Sequence, residues 1–164
     1  MLLTKPEILK AIKSRRVKIQ PFDKSSVGPA SIDLTLDNEI RIFNKKQLVE
    51  NTDYKSITKK ITIKNGYLLK PKELVLGITK EKITLPNNLA GWINSRSRFA
   101  RIGLMSHITA PFIAPGVSNK QVLEIYNAGP QTIKLMPGTK ICQLVLQECK
   151  GKAKYGGLFK NQEL

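Results

Sequence analysis

Short apolar runs, each closed by a turn residue, recur along most of this chain and constrain its fold more than any other feature. Past Gly28 the apolar period is two. Ile32, Leu34 and Leu36 share one face of SIDLTL, and Ile40 and Ile42 continue beyond an expected turn at Asp37-Asn38. The same alternation predicts strands over residues 57–63, 67–69, 74–78, 83–85, 121–126, 132–135 and 139–146, another beginning around Trp92 and Ile93, and an extended stretch over 105–113. Pro71, Pro86-Asn87-Asn88, Ala114-Pro115-Gly116, Asn127-Ala128-Gly129-Pro130 and Pro137-Gly138 separate them. The polar residues 45–54 read as a loop. Strands this short bury a core only by stacking or curling around one another, which predicts a β-sandwich or barrel.

One helix leads. Thr4-Lys5-Pro6-Glu7 has the form of a capping box, and Ile8, Leu9 and Ile12 follow at helical spacing, so a helix is expected over residues 5–15. Val17 and Ile19 then suggest a short strand broken at Pro21. A chain of 164 residues fits one domain, taken as residues 1–149. From Lys150 the sequence KGKAKYGGLFKNQEL is small, basic and glycine-containing, and reads as a mobile tail.

Hydrophobic content of 41% and charged content of 24% are ordinary for a globular protein, but a net charge of +16 is not. It makes polyanionic partners plausible, nucleotide triphosphates among them. The excess is mostly lysine scattered along the chain, without an aromatic RNA-binding run or zinc-finger spacing, so a nucleic-acid partner is not expected. The start MLLTKPEILKAIK is not a secretory leader, and no apolar run approaches a membrane span. With only Cys142 and Cys149, the expectation is a reduced, cytoplasmic protein. One His and two Cys without C-x-x-C cannot make the zinc site of deaminases that carry H-x-E and P-C-x-x-C. A phosphate-binding Walker loop and a dinucleotide-binding glycine pattern are both absent.

Chemistry concentrates in residues 91–127. Arg96, Ser97, Arg98 and Arg101 offer guanidinium groups, a hydroxyl and the start of a short helix expected over residues 97–102, with Ser95 or Ser97 as its cap and Gly103 as its stop. Such a set suits a phosphate-bearing ligand. Glu124 lies between Leu123 and Ile125, where a buried carboxylate needs a partner or a task, and it can serve as general acid and base. The plainer alternative is a solvated basic turn followed by a strand whose Glu faces water. His107 reads as a packing histidine.

The block GWINSRSRFARIGLMSHITA, with Pro115-Gly116 and LEIYN at 123–127, resembles the dCTP deaminase branch of the dCTP deaminase/dUTPase superfamily. Pro29-Ala30-Ser31-Ile32-Asp33-Leu34, Pro137-Gly138 and Gln143 extend the likeness over nearly the whole chain. The resemblance implies a mainly β, distorted barrel of the dUTPase-like type with one N-terminal helix, assembling as a homotrimer with sites at subunit interfaces. It implies hydrolysis of dCTP to dUTP and ammonia without zinc, with Mg²⁺ carried on the triphosphate oxygens. By the same resemblance Glu124 shuttles protons, Ser97 holds the attacking water and touches phosphate, and Arg101 positions the glutamate and the nucleotide. Arg96 and Arg98 lie along the triphosphate, and the Ala110 carbonyl orients the water. Phe99, Ala100, Val122, Leu123, Lys154, Tyr155 and Gln162 complete the expected substrate contacts. In the tail, either Lys154-Tyr155 is the family's Lys-Tyr pair or Phe159 stands for that Tyr.

The chain also departs from the family's pattern. Ala114 stands where an acid usually precedes the Pro-Gly turn, Asn119 replaces a glycine, and Arg98 replaces the second serine of the block. In related dUTPases that acid serves the deoxyribose and the attacking water, so Ala114 weighs against the alternative of a dUTP diphosphatase or a bifunctional enzyme. A non-catalytic nucleotide or nucleic-acid binder is the alternative of another class.

Overall fold

A computed structural model describes residues 1–44, 48–49 and 52–164, so part of the loop expected over residues 45–54 lies outside the described residues. The chain is mainly β. Among the described residues its eleven strands are β1 (Lys18–Gln20), β2 (Ile32–Phe43), β3 (Thr58–Thr62), β4 (Tyr67–Leu69), β5 (Leu74–Thr84), β6 (Leu89–Ser95), β7 (Leu104–Met105), β8 (Phe112–Ile113), β9 (Ser118–Asn127), β10 (Ile133–Leu135) and β11 (Lys140–Glu148). Two α-helices, α1 (Lys5–Lys13) and the single turn α2 (Ser97–Ala100), and a 3-10 turn at Lys24–Ser26 complete the regular structure among the described residues.

Nine strands form one curled sheet around a path β7-β9-β5-β2-β11-β6-β8, with β1 added to β5 and β3 to β2; β10 and β4 form a separate ribbon. The long strand β2 holds the barrel together. Its first half pairs antiparallel with β11, Leu34 opposite Cys142, and its second half pairs with β5, Ile40 opposite Gly77. A strand shared by two curved halves faces them toward one another, and the core lies between. Ile32, Leu34 and Leu36 meet Leu123, Ile125, Leu144 and Leu146 there, all at most 1% exposed. Each such side chain contributes about 1.5–3 kcal/mol through burial. The Cys142 thiol is in this core; burial, followed by the nearby charges of Glu81 and Asp33, pushes its pKa well above the usual range, so it behaves as a small apolar residue.

The structure departs from the sequence expectation in five places. Asp37-Asn38 does not turn the chain; it forms a bulge inside β2, where the register against β5 slips between Leu36 and Ile40. Asp37 accepts from its neighbour's N–H and pairs with Lys120 at 2.6 Å, so its turn-forming chemistry is satisfied without a reversal. Residues 74–78 and 83–85 are largely one strand, β5, carried through a second bulge. There the Thr79 hydroxyl donates to Glu81 O and accepts the Gln121 N–H, while the Glu81 carboxylate accepts the Thr35 N–H at 2.8 Å. The expected extended stretch over 105–113 is two short strands separated by an irregular loop. Finally, Thr4 makes no side-chain cap. The Lys5 N–H, at the first helical position, donates to Pro29 O at 2.7 Å. Helix α1 stops at Lys13, before the left-handed Arg15 (φ 59°).

Among the described residues no helix is long and apolar enough to cross a membrane.

Candidate active site

The segment between β6 and β9 builds one wall of a cavity of about 430 Å³. β6 leads into α2, whose cap position is Arg96 with no side-chain capping bond, so neither Ser95 nor Ser97 caps it. Ser95 instead bonds the fully buried Ser106, hydroxyl to hydroxyl at 2.8 Å, and accepts the Ser106 N–H at 3.1 Å. This pair pins the start of the 106–111 loop to the end of β6. Gly103 (φ 82°) closes the α2 turn, and its carbonyl accepts the Ala128 N–H at 2.9 Å. β8 then pairs with β6, Trp92 opposite Phe112, before the Pro115-Gly116 turn starts β9.

β9 alternates as its sequence demands. Leu123 and Ile125 point into the core, while Val122 and Glu124 take the opposite face and line the cavity. Glu124 is half-buried, and its Oε2 accepts the Ile108 N–H at 3.3 Å. It has no ion pair among the described residues. Ala110, Phe112, Ala114 and Val117 from the loop and hairpin, and Tyr155, Phe159 and Gln162 from the tail, complete an apolar-walled cavity with amides and one carboxylate at its margin.

Of the residues expected from the sequence, the structure brings together Glu124, Ala110, Val122, Tyr155 and Gln162 in this cavity. Leu123 is 1% exposed and belongs to the core. Ser97, Arg98, Ala100 and Arg101 are exposed on α2 and line no part of this cavity, while Phe99 leans on the core. Arg96 is engaged within its own chain, 3.2 Å from the Asp33 carboxylate and donating to Lys140 O at 3.0 Å. Lys154 is exposed beside Gly116, at the hairpin turn. The sequence reading did not place Tyr54, Leu76, Asn119, Gln121 and Phe112 at this cavity, and of its two alternatives for the tail aromatic, Tyr155 and Phe159, both line it. A signal for two of them exists in the alternation: Asn119 and Gln121 are in phase with Leu123 and Ile125, so two amides occupy positions that a pure core face would fill with apolar residues.

Solved structures of the same architecture define the class. A deoxycytidine triphosphate deaminase from Agrobacterium tumefaciens superposes with a TM-score of 0.70 at 18% identity, over 88% of this chain. This chain spans 46% of that longer one. The EIAV dUTPase superposes with a TM-score of 0.56 at 19% identity, over 86% of this chain and 95% of its own. The fold is therefore the one that dCTP deaminases and dUTPases share. In sequence, proteins named "dCTP deaminase, dUMP-forming" align at 40% identity in Mycolicibacterium vanbaalenii (94% of this chain, 84% of the relative) and at 35% in Corynebacterium glutamicum (99% and 92%). The family model described as dCTP deaminase-like matches residues 2–149, and the chain belongs to that family.

Proposed function

We propose that this protein hydrolyses the C4–N bond of the cytosine in dCTP, releasing ammonia and dUTP. The observation that carries this reading is Glu124, a half-buried carboxylate that lines an apolar-walled cavity and accepts the Ile108 N–H. The carboxylate takes a proton from water as the oxygen adds to C4. The same proton is delivered to the exocyclic amine, the C4–N bond breaks, and the water's second proton ends on N3 as the carbonyl forms. Atoms balance with no redox partner. Positioned proton transfer of this kind contributes about 10²–10⁴ in rate.

The second half of the reading is that three copies assemble and that each Glu124 is served by α2 of a neighbour. Ser97, Arg98 and Arg101 are exposed and far better placed to meet a second chain than their own cavity. Trp92 and Phe112, 38% and 53% exposed with ring centroids 5.0 Å apart, give that meeting an apolar anchor. The imported serine would hold the water and the arginines would bind the triphosphate. Mg²⁺ would arrive on the triphosphate and keep phosphate oxygens and water as its ligands.

One assay offering dCTP and dUTP in parallel tests the chemistry. Ammonia and dUTP should appear from dCTP, and no pyrophosphate from dUTP; absence of ammonia would overturn the reading. The names of the relatives favour a second reading, in which the dUTP is hydrolysed onward to dUMP. Pyrophosphate released in step with ammonia would establish it. Ala114, which lines the cavity where the family has an acid, is the reason dUTP is taken as the product here.

A further inference from the structure

The tail, residues 150–164, lies back over the barrel that carries it. The Ala153 N–H donates to Asn87 O at 2.8 Å, the Tyr155 N–H to Pro115 O at 2.9 Å, and the Phe159 N–H to the Tyr155 hydroxyl at 3.3 Å. Leu164, 5% exposed, packs on Leu76 and Ile78. Asn119 joins this tail to the cavity, as does the Tyr54 hydroxyl, which donates to Glu163 O at 3.1 Å. The Nδ2 of Asn119 donates to Phe159 O at 2.9 Å and lies 3.5 Å from Lys160 O. Its Oδ1 accepts from Gln121 Nε2 at 2.6 Å, which fixes the orientation of the amide and aims the NH₂ at the tail. Both amides are nearly buried, at 7% and 9% exposure, so these bonds are shielded from water. Gln162 adds a further clasp, donating from Nε2 to Lys120 O at 2.8 Å.

We propose that Asn119 is a latch: oriented by Gln121, it holds the tail shut on its own barrel before any nucleotide binds, so that Tyr155 and Phe159 are already cavity wall. A glycine at this position offers no donor, and the tail would then depend on ligand for its closure. The latch saves the nucleotide the cost of ordering the tail, which amounts to preorganisation. Asn119 is thus a positioning residue acting through Phe159. Only its effect on nucleotide affinity rests on the deaminase reading; the latch stands on the hydrogen bonds.

The test is hydrogen exchange on the full chain without nucleotide, comparing the wild type with Asn119→Asp, which keeps the acceptor for Gln121 but loses the donor, and Asn119→Gly. Slow exchange at Lys160 and Gln162 in the wild type, accelerated at least tenfold in both variants while Leu123 and Ile125 stay protected, is the expected result. Gly157→Val approaches the same tail without altering Asn119: a Cβ there would sit 2.6 Å from the Tyr155 hydroxyl oxygen. It should accelerate the same amides. In turnover, Asn119→Gly should raise the KM for dCTP several-fold and leave kcat in place. Fast tail exchange in the wild type, or unchanged exchange in both Asn119 variants, would overturn the latch whether or not the protein deaminates dCTP. A protein that keeps the exchange pattern but releases no ammonia would retain the latch and lose the deaminase reading.

Discussion

Glu124→Gln should lower kcat for ammonia release from dCTP by roughly a thousandfold, within the 10²–10⁴ range of positioned acid–base catalysis. The amide keeps the size of the carboxylate, and its oxygen can still accept the Ile108 N–H. What it loses is the ability to take a proton from water and pass it on. KM should therefore move little, because the nucleotide is bound by other groups, and unfolding temperature should stay within a few degrees of the wild type. A drop confined to kcat separates a proton shuttle from a substrate anchor. Retention of more than a tenth of the wild-type rate would remove Glu124 from the chemistry.

Gly103→Ala should be the most damaging single change outside the core. A Cβ at Gly103 would lie 2.5 Å from both the Cα and the N of Gly129, which are backbone atoms with no rotamer to yield. Its φ of 82° adds a left-handed penalty of about 1–2 kcal/mol. With about 1–3 kcal/mol of overpacking, the total is near 3 kcal/mol, or roughly 6–12 °C in Tm for a domain of this size. Gly138→Ala is the control. Its φ is 83°, but nothing lies within 4 Å of the added Cβ, so only the conformational penalty applies. Thermal unfolding of the two variants side by side measures the contact separately from the backbone strain. Because Gly103 ends the α2 turn that carries Ser97 and Arg101, Gly103→Ala should also impair turnover at temperatures where it is still folded.

The existence of the strands was legible because alternation such as Ile32-x-Leu34-x-Leu36 leaves little else for the chain to do. Their lengths were not. Asp37 and Asn38 have turn chemistry whether the chain reverses or bulges, and the choice depends on Lys120, 83 residues away. The same limit hid the fate of Arg96. A basic cluster reads as a phosphate cradle, but Asp33 is brought beside Arg96 by the pairing of β2, β11 and β6, which no local pattern encodes. Glu124 stood out in the sequence because a carboxylate flanked by core residues must take the other face, and there the cavity lies. Composition made the tail read as loose. Its anchors (Tyr155, Phe159 and Leu164) are spaced by neither helical nor strand period, so only the folded barrel reveals where they seat.

The central claim is that the working site joins Glu124 of one copy to Ser97 and Arg101 of another. Glu124→Gln and Arg101→Ala subunits, differently tagged, coexpressed and purified as mixed assemblies, test it most directly. If the site is shared, every mixed threefold ring keeps one of its three sites with both residues intact, and ammonia release should recover to about one third of the wild type. Mixed assemblies as inactive as either variant alone would contradict it.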